Sequence, residues 1–165
     1  MRLAALAAAS VAAVFVLASG AGAAGGELAS TARCASAQAR SALLCYVNFA
    51  RAANGAGPLR QASTLGSAAR VKGGAIVRCG DFSHGPCGSD PTAAVRASGY
   101  GFRLWGENLY WGSGPLGSAR NAVGGWLRSP AHRSAMLDRR FREIGIAAVA
   151  WPGRGTVWVI ELGTR

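Results

Sequence analysis

The last quarter of the chain changes period, and this limits the fold more than any other feature. Residues 142–151, REIGIAAVAW, and 155–162, GTVWVIEL, are short runs rich in β-branched and aromatic side chains, meeting at the turn formers PGRG. Two such runs across a tight turn predict an antiparallel hairpin. The periodic segments upstream have helical spacing, so helices come first and strands last. That order describes an α+β domain and argues against a parallel sheet of alternating strands and helices.

Residues 35–54, ASAQARSALLCYVNFARAAN, bring Leu44, Val47 and Ala50 or Arg51 to helical spacing and stop at Gly55-Ala56-Gly57-Pro58. Residues 59–78 repeat the pattern through Leu65, Ala68, Ala69, Lys72 and Ile76, with Gly73-Gly74 weakening the second half. The turn formers of CGDFSHGPCGSD place His84 in a loop. Asp90-Pro91 predicts a short third helix to about Ala97. Ser118 caps a fourth helix through Arg128, and Ser129-Pro130 restarts another through Leu137. The stretch YGFRLWGENLYWGSGPLG reads as irregular or extended.

The N-terminus reads as an export signal, residues 1–23, followed by a lead-in, residues 24–34, and one domain, residues 35–165. Arg2 supplies the basic start, residues 3–18 are a nearly unbroken apolar run, and small residues precede a cut after Ala23. An uncleaved anchor is the rival, but the run is short for a span of about 20 residues and has no basic stop after it. Four cysteines, Cys34, Cys45, Cys79 and Cys87, agree with an oxidising, extracellular or cell-envelope destination and predict two disulfides. Three pairings are open, sequence neighbours being the simplest; a zinc site lacks the close C-x-x-C pairs it prefers. Lys and Arg number 18 against 7 Asp and Glu, all but Lys72 being arginine. That balance favours peripheral contact with anionic surfaces. The arginines are scattered, and no nucleic-acid motif accompanies them.

The chain has two histidines. His84 lies in a loop, His132 on a short helix, Glu107 among aromatics in LWGENLYWG, and Glu143 at the start of the hairpin. Two imidazoles and one or two carboxylates are what a cation site or an acid/base pair requires. Ser83 adjoins His84, but no G-x-S-x-G elbow supports a nucleophile. Each residue also has a structural reading: Glu107 and Asn108 as partners for the backbone of an irregular segment, His132 as packing on the turn begun by Ser129-Pro130, and the tryptophans as core.

LLCYVNFARAANGAGPLR, DFSH, GENLYWG, WLRSPAHRSAML and FREIGIA stand in the order and spacing of one family. Over residues 35–164 the chain resembles the bacterial SCP domain of the CAP superfamily, which includes cysteine-rich secretory, antigen 5 and pathogenesis-related proteins. The resemblance implies a CAP-type α-β-α sandwich, with helices on both faces of a small antiparallel sheet. It also implies a cleft of two histidines and acidic residues that in some members binds a divalent cation such as zinc. By motif, His84, Glu107 and His132 belong to that cleft, with Glu107 the candidate catalytic group. The fourth position departs from the family pattern, because Trp126-Leu127-Arg128-Ser129 offers no acid; Glu143 is the nearest later substitute. Glu161 stands where many relatives have glutamine and is expected near the same cleft.

Two functions follow, and the residues leave enzyme and binder both open. One is a secreted binding module for a lipid, a cell-envelope component or a protein partner. The alternative is a metal-dependent hydrolase or peptidase, with His84 and His132 on zinc and Glu107 as base or ligand. A third reading, a surface protein acting mainly through positive charge, rests on composition alone.

Overall fold

The computed structural model describes residues 34, 35 and 37–165. The export signal and all of the lead-in before Cys34 lie outside the described residues. In chain order the elements are α1 (Ala39–Ala53), β1 (Arg60–Gln61), α2 (Ser63–Cys79), α3 (Ala93–Ala97), β2 (Leu104–Gly112), α4 (Ala119–Arg128), α5 (Pro130–Leu137), β3 (Glu143–Trp151) and β4 (Gly155–Thr164).

The C-terminal hairpin forms the middle of a four-stranded sheet of order β1-β3-β4-β2. β3 and β4 pair antiparallel from Glu143↔Gly163 to Trp151↔Gly155. The structure sharpens the sequence reading at two points. Of the irregular and extended alternatives for LWGENLYWG the extended one holds, as a regular strand, β2, paired with β4 along its whole length from Leu104↔Thr164 to Gly112↔Thr156. The sheet is also not wholly antiparallel, because the two residues of β1 run parallel to the start of β3. Short-range periodicity could show neither, since β2 depends on β4 arriving from about fifty residues further along the chain and β1 on β3 from about eighty.

Alternation along the strands separates two cores. Ile144, Ile146, Trp158, Ile160 and Leu162 pack with Leu43 and Val47 of α1, Trp126 of α4 and Met136 of α5. On the opposite face Ala147, Val157, Val159 and Leu109 pack with Ala69 and Ile76 of α2. Burying each large aliphatic side chain contributes about 1.5–3 kcal/mol, so the two faces together dominate the fold's stability. α2 lies very close to the sheet. A Cβ on Gly145 would stand 2.0 Å from the Leu65 carbonyl carbon, and one on Gly73 would stand 2.6 Å from Val149 Cγ2. Gly73, a weakness by helix propensity, is thus the point of close approach.

Several local signals hold. Ser118 caps α4 by accepting from the Asn121 amide at 3.3 Å. The cysteines pair as sequence neighbours, Cys34 with Cys45 and Cys79 with Cys87. The first bridge ties the start of the described chain to α1; the second closes the loop around His84. Arg51 is fully buried and donates to the carbonyls of Gly57, Met136, Asp138 and Phe141. It ties α1 to the segment leading into β3.

Candidate functional site at the edge of β2

β2 is an outer strand, and its alternation sets the geometry of the site. The indole of Trp126 donates to the Leu109 carbonyl at 2.9 Å, so the peptide groups of odd-numbered β2 residues point away from β4. Glu107 therefore presents its backbone to the open edge, while its side chain turns toward α2. Asn108 turns the other way, and its amide donates to the His132 carbonyl at 2.8 Å. One dipeptide of the strand thus anchors a histidine on each side of the sheet edge.

On the α2 side, His84 Nδ1 stands 2.6 Å from Glu107 Oε1. The Glu107 side chain is 1% exposed, whereas His84 is about half exposed. Lys72 Nζ lies 3.4 Å from Glu107 Oε2 and is itself buried. The same ammonium donates to the carbonyls of His84 and of Pro91, the latter at 3.0 Å. Lys72 therefore neutralises Glu107 and also pins the loop that carries His84. The hydrogen bond between His84 and Glu107 raises the His84 pKa above the ordinary histidine value, with burial opposing.

On the α5 side, His132 Nδ1 lies 2.9 Å from the Ser129 hydroxyl. Burial, and then the charge of His84, hold the His132 pKa below the ordinary value. Each imidazole has Nδ1 engaged, which leaves Nε2 as its remaining ligand or proton-transfer atom.

Behind Glu107 sits a second acid. Glu161 is its direct cross-strand neighbour and is fully buried, with Oε2 accepting from the Trp105 indole at 2.7 Å. Burial first, then the charge of Glu107, push its pKa far above the carboxylate range, so it is held as the neutral acid. Glu143 is not brought into this group. It accepts from the Tyr100 hydroxyl at 2.6 Å and pairs with Arg165 at 3.3 Å.

The structure therefore joins His84 to Glu107 directly and His132 to Asn108 through its backbone. It adds Lys72, Trp105 and Ser129, which the motifs alone did not place in the site, and sets Glu161 behind Glu107. Lys72 carried a signal: it is the chain's one lysine and falls on the apolar stripe of α2. Asn108 serves the backbone as its structural reading expects, but Glu107 does not, because its strand is paired and its carboxylate meets side chains.

Among the described residues, no three of His, Cys, Asp and Glu stand together as a metal-binding group. The chemistry of the donors explains why Glu107 does not serve as a third ligand: its carboxylate is already opposed by the Lys72 ammonium and the His84 ring. Glu107 instead orients the His84 ring from behind, the part an outer carboxylate plays toward a ligating imidazole.

An α-β-α sandwich with two imidazoles flanking one edge of its sheet and a buried acid behind one of them defines a CAP-type domain. The chain belongs to the cysteine-rich secretory protein (CAP) family, whose model matches residues 44–162. It is similar in structure to an outer surface protein of Borrelia burgdorferi, with TM-score 0.67 and 21% identity, covering 74% of this chain and 90% of that one. An extracellular protein containing an SCP domain from Bacillus anthracis gives TM-score 0.64 and 17% identity, over 74% of this chain and 39% of that one. A cysteine-rich secretory protein from Staphylococcus aureus gives 0.61 and 16%, over 76% and 38%. The chain thus spans less than two-fifths of the Bacillus and Staphylococcus proteins. A comparison with curated proteins gives no match.

Proposed function

We propose that this chain is an exported binding module that takes an amphiphilic ligand of lipid or cell-envelope type, and that its histidine cleft binds rather than hydrolyses. The observation that carries this reading is the state of Glu107. A general base must reach the proton it abstracts, and this carboxylate is sealed from solvent and opposed by Lys72 and His84. It supports a histidine and is itself withheld from water. Export is supported by the predicted leader, by two disulfides and by the outer-surface or extracellular descriptions of similar proteins.

The ligand class is supported by a groove of about 340 Å³ between α1 and α4. Phe49, Val123 and Leu127 give it apolar walls, and Arg120 and Arg128 stand at its rim. Such a lining suits an acyl chain with an anionic head, and the volume falls in the usual range for small-ligand sites. A divalent cation, on this reading, is held by His84 and His132 and would supply a positive centre for a polar headgroup at the second site.

The test is extraction of lipid from the purified mature protein, followed by titration with phosphatidylglycerol vesicles and free fatty acid. Leu127→Arg, at a half-buried position of the groove wall, is expected to abolish uptake. Zinc affinity is expected to vanish in His84→Ala and in His132→Ala, but to fall only about tenfold in Glu107→Gln. Turnover of peptide or ester substrates that disappears in a folded Glu107→Gln variant would overturn the binding reading in favour of a hydrolase.

A further inference from the structure

The opposite edge of the sheet carries a separate feature. β1 covers only the start of β3: the Arg60 amide donates to the Arg142 carbonyl at 3.0 Å, and the Ala62 amide to the Ile144 carbonyl at 3.0 Å. The chain then leaves the sheet at Ser63 to begin α2. Because Ile144 uses its peptide group outward, and the register with β4 runs without a bulge to Trp151↔Gly155, Ile146, Ala148 and Ala150 also point theirs outward. Among the described residues these three have no backbone partner on that side. A row of unpaired donors and acceptors is a template for another strand unless something blunts it. Here there is no proline, bulge or edge lysine in β3.

The edge lies along a groove of about 800 Å³ between α1 and α2, with Gly145 to Ala148 along its floor. Arg40 from α1 and Arg70 from α2 stand on its walls, and no acidic residue among the described residues lines it. Both arginines are exposed, and neither pairs with a carboxylate among the described residues. The floor offers main-chain pairing without side-chain selectivity, and the walls offer charge of one sign.

We infer that the β3 edge receives an extended segment of a partner protein bearing acidic side chains, which adds as a strand in line with β1. The pairing spans residues 146–150, about five residues or roughly 16 Å of extended chain. Main-chain hydrogen bonds supply the affinity, and Arg40 and Arg70 select acidic residues. This site is independent of the histidine cleft, which lies on the other edge, so either reading can fail without the other.

The experiment is amide hydrogen exchange by NMR on the mature, oxidised protein, with a capped peptide of alternating valine and glutamate as the probe. In the free protein the Ala148 and Ala150 amides are expected to exchange fast, beside slow Ala147 and Val149 amides that pair with β4. Saturating peptide is expected to slow Ile146, Ala148 and Ala150 by about tenfold or more. The valine-lysine counterpart should have no effect, and the Arg40→Glu/Arg70→Glu double variant should reverse that preference. Ala148→Pro removes one outward donor without breaking the β3–β4 ladder and is expected to abolish the protection. If Ala148→Pro disturbs the fold, the charge-reversal pair still decides. Unchanged exchange at saturating peptide, or equal response to both peptides, would overturn the proposal. So would amides already slow in the free protein that speed up when residues 24–33 are deleted, because the edge would then belong to the chain's own lead-in.

Discussion

Replacing Glu161 by glutamine is expected to stabilise the domain at pH 7, although the side chain is fully buried. In the native protein Glu107 Oε2, whose ion pair with Lys72 is 3.4 Å long, and Glu161 Oε1 accept no well-aligned hydrogen bond among the described residues. A proton held between these cross-strand neighbours supplies the missing donor, and Glu161 is its owner because burial and the Glu107 charge both favour its neutral form. At pH 7 that proton must be taken from solvent by a group whose ordinary pKa is 4.5. At about 1.4 kcal/mol per pH unit, the uptake costs about 3 kcal/mol. Glutamine fits the same space, donates to Glu107 through its amide nitrogen, accepts from Trp105 through its oxygen, and needs no proton.

The sign follows from proton counting: above pH 4.5 the folded state keeps a proton that the unfolded chain releases. The Glu161 contribution is therefore full below pH 4.5 and is lost steadily as pH rises toward its elevated folded pKa. Urea unfolding of both proteins at pH 4, 7 and 8 checks this. The expected result is near equality at pH 4, a gain of up to about 3 kcal/mol for Glu161→Gln at pH 7, and a larger gain at pH 8. A difference that does not change with pH, or a glutamine variant less stable at pH 7, would refute the shared proton.

Lys72→Met leaves Glu107 without its counter-ion and is expected to cost about 3–5 kcal/mol by urea unfolding, with the His84 loop more open to proteolysis. In metal-free protein, NMR titration is expected to place His84 above the ordinary histidine pKa and His132 below it, following their shifts; Glu107→Gln should move His84 back down. Arg51→Met takes the guanidinium donor from the Gly57 and Met136 carbonyls and a second donor from those of Asp138 and Phe141, and is expected to cost about 3 kcal/mol or more in thermal and urea unfolding. Opening the Cys79–Cys87 loop with Cys79→Ser/Cys87→Ser is expected to cost about 2–3 kcal/mol and to bring His84 toward ordinary titration, because the loop no longer holds its ring against Glu107.

The parts of this fold that were legible in the sequence are those decided within a few residues. The hairpin at PGRG, the Ser118 cap and the apolar stripe of α2 each carry their own local chemistry. β2 was not legible as a strand because its apolar and polar residues do not alternate cleanly: Glu107 is buried, and Trp111 on the same face is exposed. What makes it a strand is pairing with β4, which no window around residue 107 contains. The site divides in the same way. Short words marked His84, Glu107 and His132, and the family pattern pointed to Glu161, but Lys72 needed the helix packing, and the direct contact of Glu161 with Glu107 the sheet register, to be seen. Glu143 satisfied the same compositional test as Glu107, but lies two strands from β2 with Tyr100 and Arg165 as partners.

The energetics of the Lys72–Glu107–Glu161 group argue for a positioning role. Burying three ionisable groups is expensive, and apolar residues of similar volume are often equal or better for stability. A purely structural account would therefore expect the group to be dispensable as a unit. What an apolar replacement could not reproduce is direction: the carboxylate fixes the Nδ1 side of His84, and Lys72 fixes that residue's carbonyl, so the half-exposed ring is held at two points. The triple substitution Lys72→Met/Glu107→Leu/Glu161→Met separates these roles. It is expected to leave unfolding free energy within about 1–2 kcal/mol of the parent, while zinc affinity falls and the His84 ring shows averaged rather than fixed NMR contacts. Retention of parental zinc affinity and a fixed His84 ring in a folded triple variant would refute the positioning role.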